Sequence, residues 1–84
     1  MIYNYTTDPQ VCSSVITLDM DGDLVKDVFF TGGCNGNLQG ICSLVKGMHY
    51  SEIKEKLAGI HCGYKDTSCP DQLVKAIEEA MKNL

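Results

Sequence analysis

The first part of the chain shows the two-residue period of β-strands. Residues 2–7 and 12–20 alternate apolar and polar side chains, and one face of the second segment carries Ile16, Leu18 and Met20. Asp21 and Gly22 then predict a tight type I′ hairpin turn. The chain returns as a third strand over residues 24–31. These segments predict consecutive antiparallel strands with one buried face.

In the second half, the apolar positions follow the period of an α-helix. A first helix over about residues 38–46 ends before Gly47, which suits a helix C-terminus. A second helix is predicted to begin with Ser51 as its N-cap. The third is predicted to have Cys69 as its N-cap and Pro70 in its first helical position. Its apolar stripe consists of Leu73, Val74, Ile77, Ala80, Met81 and Leu84.

Strands followed by helices predict an α+β fold, with a three-stranded antiparallel sheet and three helices packed on one of its faces. The 84 residues are expected to form a single domain, 1–84. The formal net charge of −4 argues against a nucleic-acid groove or an anionic membrane surface as partner. The N-terminus lacks a basic and then apolar targeting segment, and no apolar run has membrane length, so a cytoplasmic protein is expected.

Cysteine is unusually frequent, with five in the chain. Four of them fall at predicted element ends. Cys12 opens the second strand and Cys34 follows the third, whereas Cys62 lies in the loop after the second helix and Cys69 starts the third helix. Such ends can converge at one edge of a sheet. Cys42 lies within the first predicted helix and fits a small apolar residue.

Four converging thiolates would suit either Zn²⁺ or an iron–sulfur cluster. Glycines flank two of the cysteines and allow close approach of the backbone, and a helix N-terminus favours the thiolate of Cys69. Two other interpretations stay open, namely a redox pair of Cys62 and Cys69 and cysteines that are simply core residues. His49 and His61 are further candidate ligands. The position of His49 before a helix is more typical of a surface residue. His61 adjoins Cys62, and such a histidine more often contacts a ligand than binds the metal itself.

The string Thr67-Ser68-Cys69-Pro70-Asp71 is the signature of the TSCPD domain, and the chain resembles that family over nearly its whole length. The segments 33–38 and 59–73 belong to the same resemblance. It is close to stand-alone proteins of this size that carry four cysteines. Matched residue by residue, those four are Cys12, Cys34, Cys62 and Cys69, and Cys42 lies outside the pattern.

The same module resembles the C-terminal extension of cobalamin-dependent ribonucleotide reductases, and family members often carry the name ribonucleoside-diphosphate reductase. The resemblance implies a metal-binding accessory domain that acts in deoxynucleotide synthesis, with a ribonucleotide reductase or a cluster-assembly protein as partner. Complete catalysis is not expected, because 84 residues cannot build the large barrel that radical reduction needs. A dithiol module that relays reducing equivalents to a reductase is the alternative from a different class.

A fainter resemblance is to the iron–sulfur cluster scaffold proteins of the U type. They also place cysteines at a strand start, after the following hairpin and before the C-terminal helix. The scaffold's aspartate two residues after its first cysteine corresponds to Ser14 here, and its third cysteine matches either Cys62 or Cys69. A cluster scaffold or carrier is therefore a second alternative function.

Overall fold

The computed structural model describes residues 1–33, 35–61 and 63–83. The elements in chain order are β1 (Ile2–Thr6), β2 (Ser13–Asp21), β3 (Leu24–Gly32), α1 (Asn35–Val45), α2 (Tyr50–Leu57) and α3 (Cys69–Lys82). The strands form one antiparallel sheet in the order β1-β2-β3. The predicted α+β fold is confirmed. Within the described residues no helix is long and apolar enough to cross a membrane.

The core lies between one face of the sheet and the helices. Ile16 and Leu18 of β2 are fully buried, as are Leu73 and Ile77 of α3. Helix α3 packs across β1 and β2, α1 packs against β3, and α2 packs against α3. Burying one such aliphatic side chain contributes about 1.5–3 kcal/mol, so the alternation in β2 and the stripe in α3 account for the association of sheet and helix.

The hairpin between β2 and β3 differs from the predicted type I′ turn. Asp21 pairs with Leu24, so the two central residues of the turn are Gly22 and Asp23. Gly22 has a φ of +60°, and no non-glycine residue among those described has a positive φ. A glycine in the first central position followed by a residue of negative φ is the pattern of a type II′ turn. The location of the reversal was predicted correctly, but its type was wrong.

Helix α2 begins two residues earlier than predicted, because His49 is the N-cap and Ser51 lies inside the helix. Backbone hydrogen bonds to the β2–β3 turn and to β3 accompany this start. The Tyr50 amide donates to the Asp23 carbonyl at 2.8 Å, and the Val25 amide donates to the Met48 carbonyl at 3.0 Å. Because these contacts hold the chain at Met48 and Tyr50, the local preference of Ser51 for the N-cap position is overridden.

The first residue of α3 also differs from the prediction. Ser68 is the N-cap, Cys69 is the first helical residue and Pro70 the second. The Ser68 side-chain oxygen accepts a hydrogen bond from the Asp71 amide at 3.2 Å. A hydroxyl oxygen is a much better acceptor for a helix amide than a thiol, which explains why the serine rather than the cysteine caps the helix.

Candidate functional site

A cleft of about 330 Å³ opens where the β1–β2 loop, the first turn of α1 and the N-terminus of α3 meet. Cys12 and Cys69 both line this cleft. Its wall is largely apolar, and it includes Val11, Leu38, Ile41 and Pro70. Cysteines from distant parts of the chain therefore border one concave surface.

Cys69 is joined to the start of β2. Its sulfur lies 3.3 Å from the hydroxyl oxygen of Ser13, in a hydrogen bond in which either group can donate. Ser13 is only 3% exposed, and it is the chain neighbour of Cys12.

Cys12 is exposed and ends the loop between β1 and β2. Short hydrogen bonds hold the base of this loop. The Thr7 hydroxyl donates to the Ser13 carbonyl at 2.6 Å, and the Thr7 amide donates to the Ser14 carbonyl at 3.1 Å. The loop therefore presents Cys12 to solvent from a fixed position beside β2.

Two of the four predicted ligands, Cys34 and Cys62, lie outside the described residues. The chain just before each of them is described. At Gly33, a Cβ atom would stand 3.4 Å from the Cys12 carbonyl carbon, so this glycine lies against the β1–β2 loop. The Ile60 carbonyl accepts a hydrogen bond of 2.6 Å from the Ser68 hydroxyl, beside Cys69. Both approach segments thus lie next to a described cysteine.

Among the described residues there is no group of three or more histidine, cysteine, aspartate or glutamate side chains that could hold a metal ion. The four-cysteine metal site consequently remains a prediction. The two histidines do not join Cys12 and Cys69 in the cleft wall. His61 is exposed, and the Nδ1 atom of His49 lies 2.9 Å from Asp23 Oδ1 at the hairpin.

Cys42 occupies a different environment in α1. It is half-buried and packs against the core. Burial raises the pKa of its thiol, and the nearby negative charge of Asp27 raises it further. A thiol that is shielded and held in its neutral form suits a small packing residue better than a metal ligand.

Asp71, two residues after Cys69 in α3, is a polar residue to which the sequence pattern assigned no role. Its side chain is 7% exposed. Burial raises the pKa of this carboxyl, but hydrogen bonds from Thr67 and the Gly59 amide, with the charge of Lys75, outweigh that effect and lower the pKa. Thr67 and Asp71 both belong to the signature string, which is the signal that could have identified them.

The family model of the TSCPD domain matches residues 2–81. Neither a search of curated proteins nor a search of solved structures returns a match. The matched span contains all three strands, the cleft and nearly all of α3.

Proposed function

Because the chain belongs to the TSCPD domain family, we propose that it is a small metal-binding accessory protein of ribonucleotide reductase-type systems. Family membership supports the association with such reductases. In this proposal Cys12 and Cys69 act with Cys34 and Cys62 as the ligands of one Zn²⁺ ion or one iron–sulfur cluster. The physiological partner is a ribonucleotide reductase or a cluster-assembly protein in the cytoplasm.

The observation that carries the proposal is the shared cleft of Cys12 and Cys69. These residues come from separate elements, yet their side chains border the same space. Gly33 and Ile60, which precede the other two cysteines by one and two residues, lie against Cys12 and Ser68 respectively. This placement supports a four-thiolate site that joins the sheet to the N-terminus of α3.

The chemistry of the donor set also fits a soft metal. Thiolate sulfur is a ligand that both Zn²⁺ and iron–sulfur clusters prefer. When Cys69 is ionised, the Ser13 hydroxyl can only donate to it, and such hydrogen bonds to ligand atoms orient them. A bound Zn²⁺ would supply a structural cross-link, and a cluster would supply electrons or itself as cargo.

The test is anaerobic purification followed by metal analysis and absorbance spectroscopy. We expect about one Zn²⁺ per chain in a colourless protein, or iron and sulfide in a brown one. Cys12→Ser and Cys69→Ser should each abolish stoichiometric loading, whereas Cys42→Ser should leave it intact. A reduced wild-type protein that binds neither zinc nor a cluster contradicts the proposal.

The alternatives predict different results in the same preparation. A cluster scaffold would pass its cluster to an apo-ferredoxin within minutes, whereas a closed four-cysteine site would retain it. A dithiol relay would support turnover of a purified ribonucleotide reductase without any metal. In that reaction two thiols of this chain would become a disulfide while a disulfide of the reductase is reduced to two thiols.

A further inference from the structure

Three buried polar side chains, those of Thr67, Asp71 and Gln72, are hydrogen-bonded to one another at the N-terminus of α3. The Thr67 hydroxyl donates to Asp71 Oδ2 at 2.6 Å and accepts a hydrogen bond from Gln72 Nε2 at 3.0 Å. Thr67 is 2%, Asp71 7% and Gln72 1% exposed. Every buried side-chain nitrogen and oxygen of these three residues has a hydrogen-bond partner. The three side chains form one connected unit, which we call the α3 clamp.

The α3 clamp reaches two loops that are distant from each other in sequence. On one side, Asp71 Oδ1 accepts a hydrogen bond of 2.8 Å from the Gly59 amide. On the other side, Gln72 Oε1 accepts one of 2.9 Å from the Asp8 amide. Gly59 begins the segment that leads towards Cys62, and Asp8 begins the loop that ends at Cys12. The clamp therefore connects both segments to the helix that begins with Cys69.

These hydrogen bonds satisfy two loop amides that have no partner within a helix or a strand. The Gly59 and Asp8 amides belong to neither a strand nor a helix, so without the clamp they would have to find water or another acceptor. A carboxylate and an amide are both needed, because Asp71 must accept from two donors while Gln72 donates at one end and accepts at the other. Exposed polar side chains, which can bind water instead, would not need this particular combination of donors and acceptors.

We propose that Thr67, Asp71 and Gln72 are positioning residues that hold the β1–β2 loop and the segment after α2 at fixed places beside Cys69. The effect of this positioning on metal binding rests on the proposed function, since the two segments lead to the proposed ligands Cys12 and Cys62. The holding itself needs no metal. It is a property of the folded chain and can be measured in the metal-free protein.

The first experiment measures amide hydrogen exchange by NMR in the reduced, metal-free protein. In Asp71→Ala, exchange at the Gly59 amide should accelerate about tenfold or more, the change that corresponds to one lost hydrogen bond. In Gln72→Ala, the same acceleration should appear at the Asp8 amide. Asp71→Asn keeps one carbonyl-type acceptor and should preserve much of the protection at Gly59. Ile77→Val, a fully buried change away from the clamp, is the control for general loss of stability.

The second experiment measures Zn²⁺ affinity of the same variants by competition with a chromogenic chelator. Asp71→Ala and Gln72→Ala should bind Zn²⁺ about 10–100-fold more weakly, as is typical when groups that orient ligands are lost. Ile77→Val should stay close to the wild-type affinity, and Asp71→Asn should recover part of the loss.

Protection at Gly59 and Asp8 that is equal in wild-type protein and in the clamp variants overturns the positioning role. If Ile77→Val binds Zn²⁺ as weakly as Asp71→Ala, the affinity follows global stability alone. That result overturns the claim that the clamp strengthens metal binding. If the wild-type protein binds no Zn²⁺, the proposed function fails, and the exchange rates alone still decide whether the clamp holds the loops.

Discussion

The sulfur of Cys69 lies 3.3 Å from the hydroxyl oxygen of Ser13, although 56 residues separate them in the chain. Ser13 is the first residue of β2 and Cys69 the first residue of α3. This one contact therefore joins the sheet to the last helix at the rim of the cleft. It also places Ser13, the residue after Cys12, directly beside the thiol of Cys69.

Ser13→Ala should destabilise the metal-free protein by about 1 kcal/mol, because the variant removes the partly buried hydrogen bond between Ser13 and Cys69. The measurement is urea unfolding followed by circular dichroism. Ser14→Ala is the matched control, since Ser14 is the exposed neighbour and its hydroxyl donates only to the Thr31 carbonyl. Equal unfolding midpoints for the two variants would show that the contact with Cys69 adds nothing to stability.

Metal removal should lower the melting temperature by more than about 10 °C, because metal binding that needs the folded site adds to the free energy of folding. The sheet and helices bury a core without the site, so the metal-free protein should stay folded while its cysteine loops loosen. Differential scanning calorimetry with and without a chelator measures the shift. Cys69→Ser should reproduce it, whereas Cys42→Ser should not, and a melt that the chelator leaves unchanged argues for the dithiol function.

The pair of His49 and Asp23 should make stability fall as pH rises. The hydrogen bond that the His49 ring donates to the Asp23 carboxylate raises the pKa of His49 above its ordinary value of 6.5, and the charges of Asp23 and Glu52 raise it further. A raised pKa in the folded state means that the stabilisation is fully present below pH 6.5 and is lost as pH rises through the folded-state pKa. Urea midpoints between pH 5.5 and 8.5 measure this decline.

Asp23→Asn should remove most of that decline, because the neutral amide no longer favours the imidazolium. Asp21→Asn is the matched control, since Asp21 is an exposed aspartate of the same hairpin and does not contact His49. If Asp23→Asn and wild-type protein show the same pH profile, another group controls the titration.

Gly33→Ala should destabilise the protein by more than about 1 kcal/mol, because alanine is strained at this positive φ and its methyl group would clash with neighbouring atoms. Gly33 has a φ of +83°, and a Cβ there would lie 2.8 Å from Leu38 Cδ1 and 3.1 Å from the Ser13 amide nitrogen. Gly36→Ala, in the first turn of α1 with nothing within 4 Å of its Cβ, should instead stabilise the protein by about 0.5–1 kcal/mol. Thermal melts of both variants check the contrast, and a neutral Gly33→Ala would contradict it.

Local periodicity was enough to predict the sheet, the three helices and their order. The alternation of Ile16 and Leu18 shows a buried strand face directly, because neighbouring side chains point to opposite sides of a sheet. The apolar stripe of α3 is equally local, and Leu73 and Ile77 are buried as it predicts. Leu84, the last member of that stripe, lies outside the described residues. The signature string around Cys69 was enough to predict the family.

Tertiary structure decided how these elements begin and what they bring together. Backbone hydrogen bonds between the chain before α2 and β3 made His49 rather than Ser51 the cap of that helix. Packing of α3 across β1 and β2 brought Cys69 beside Ser13, and packing of α3 against α2 brought Asp71 to the Gly59 amide. Such contacts depend on the relative placement of distant segments, which no local period encodes, because each segment satisfies its own pattern equally well wherever its partner lies.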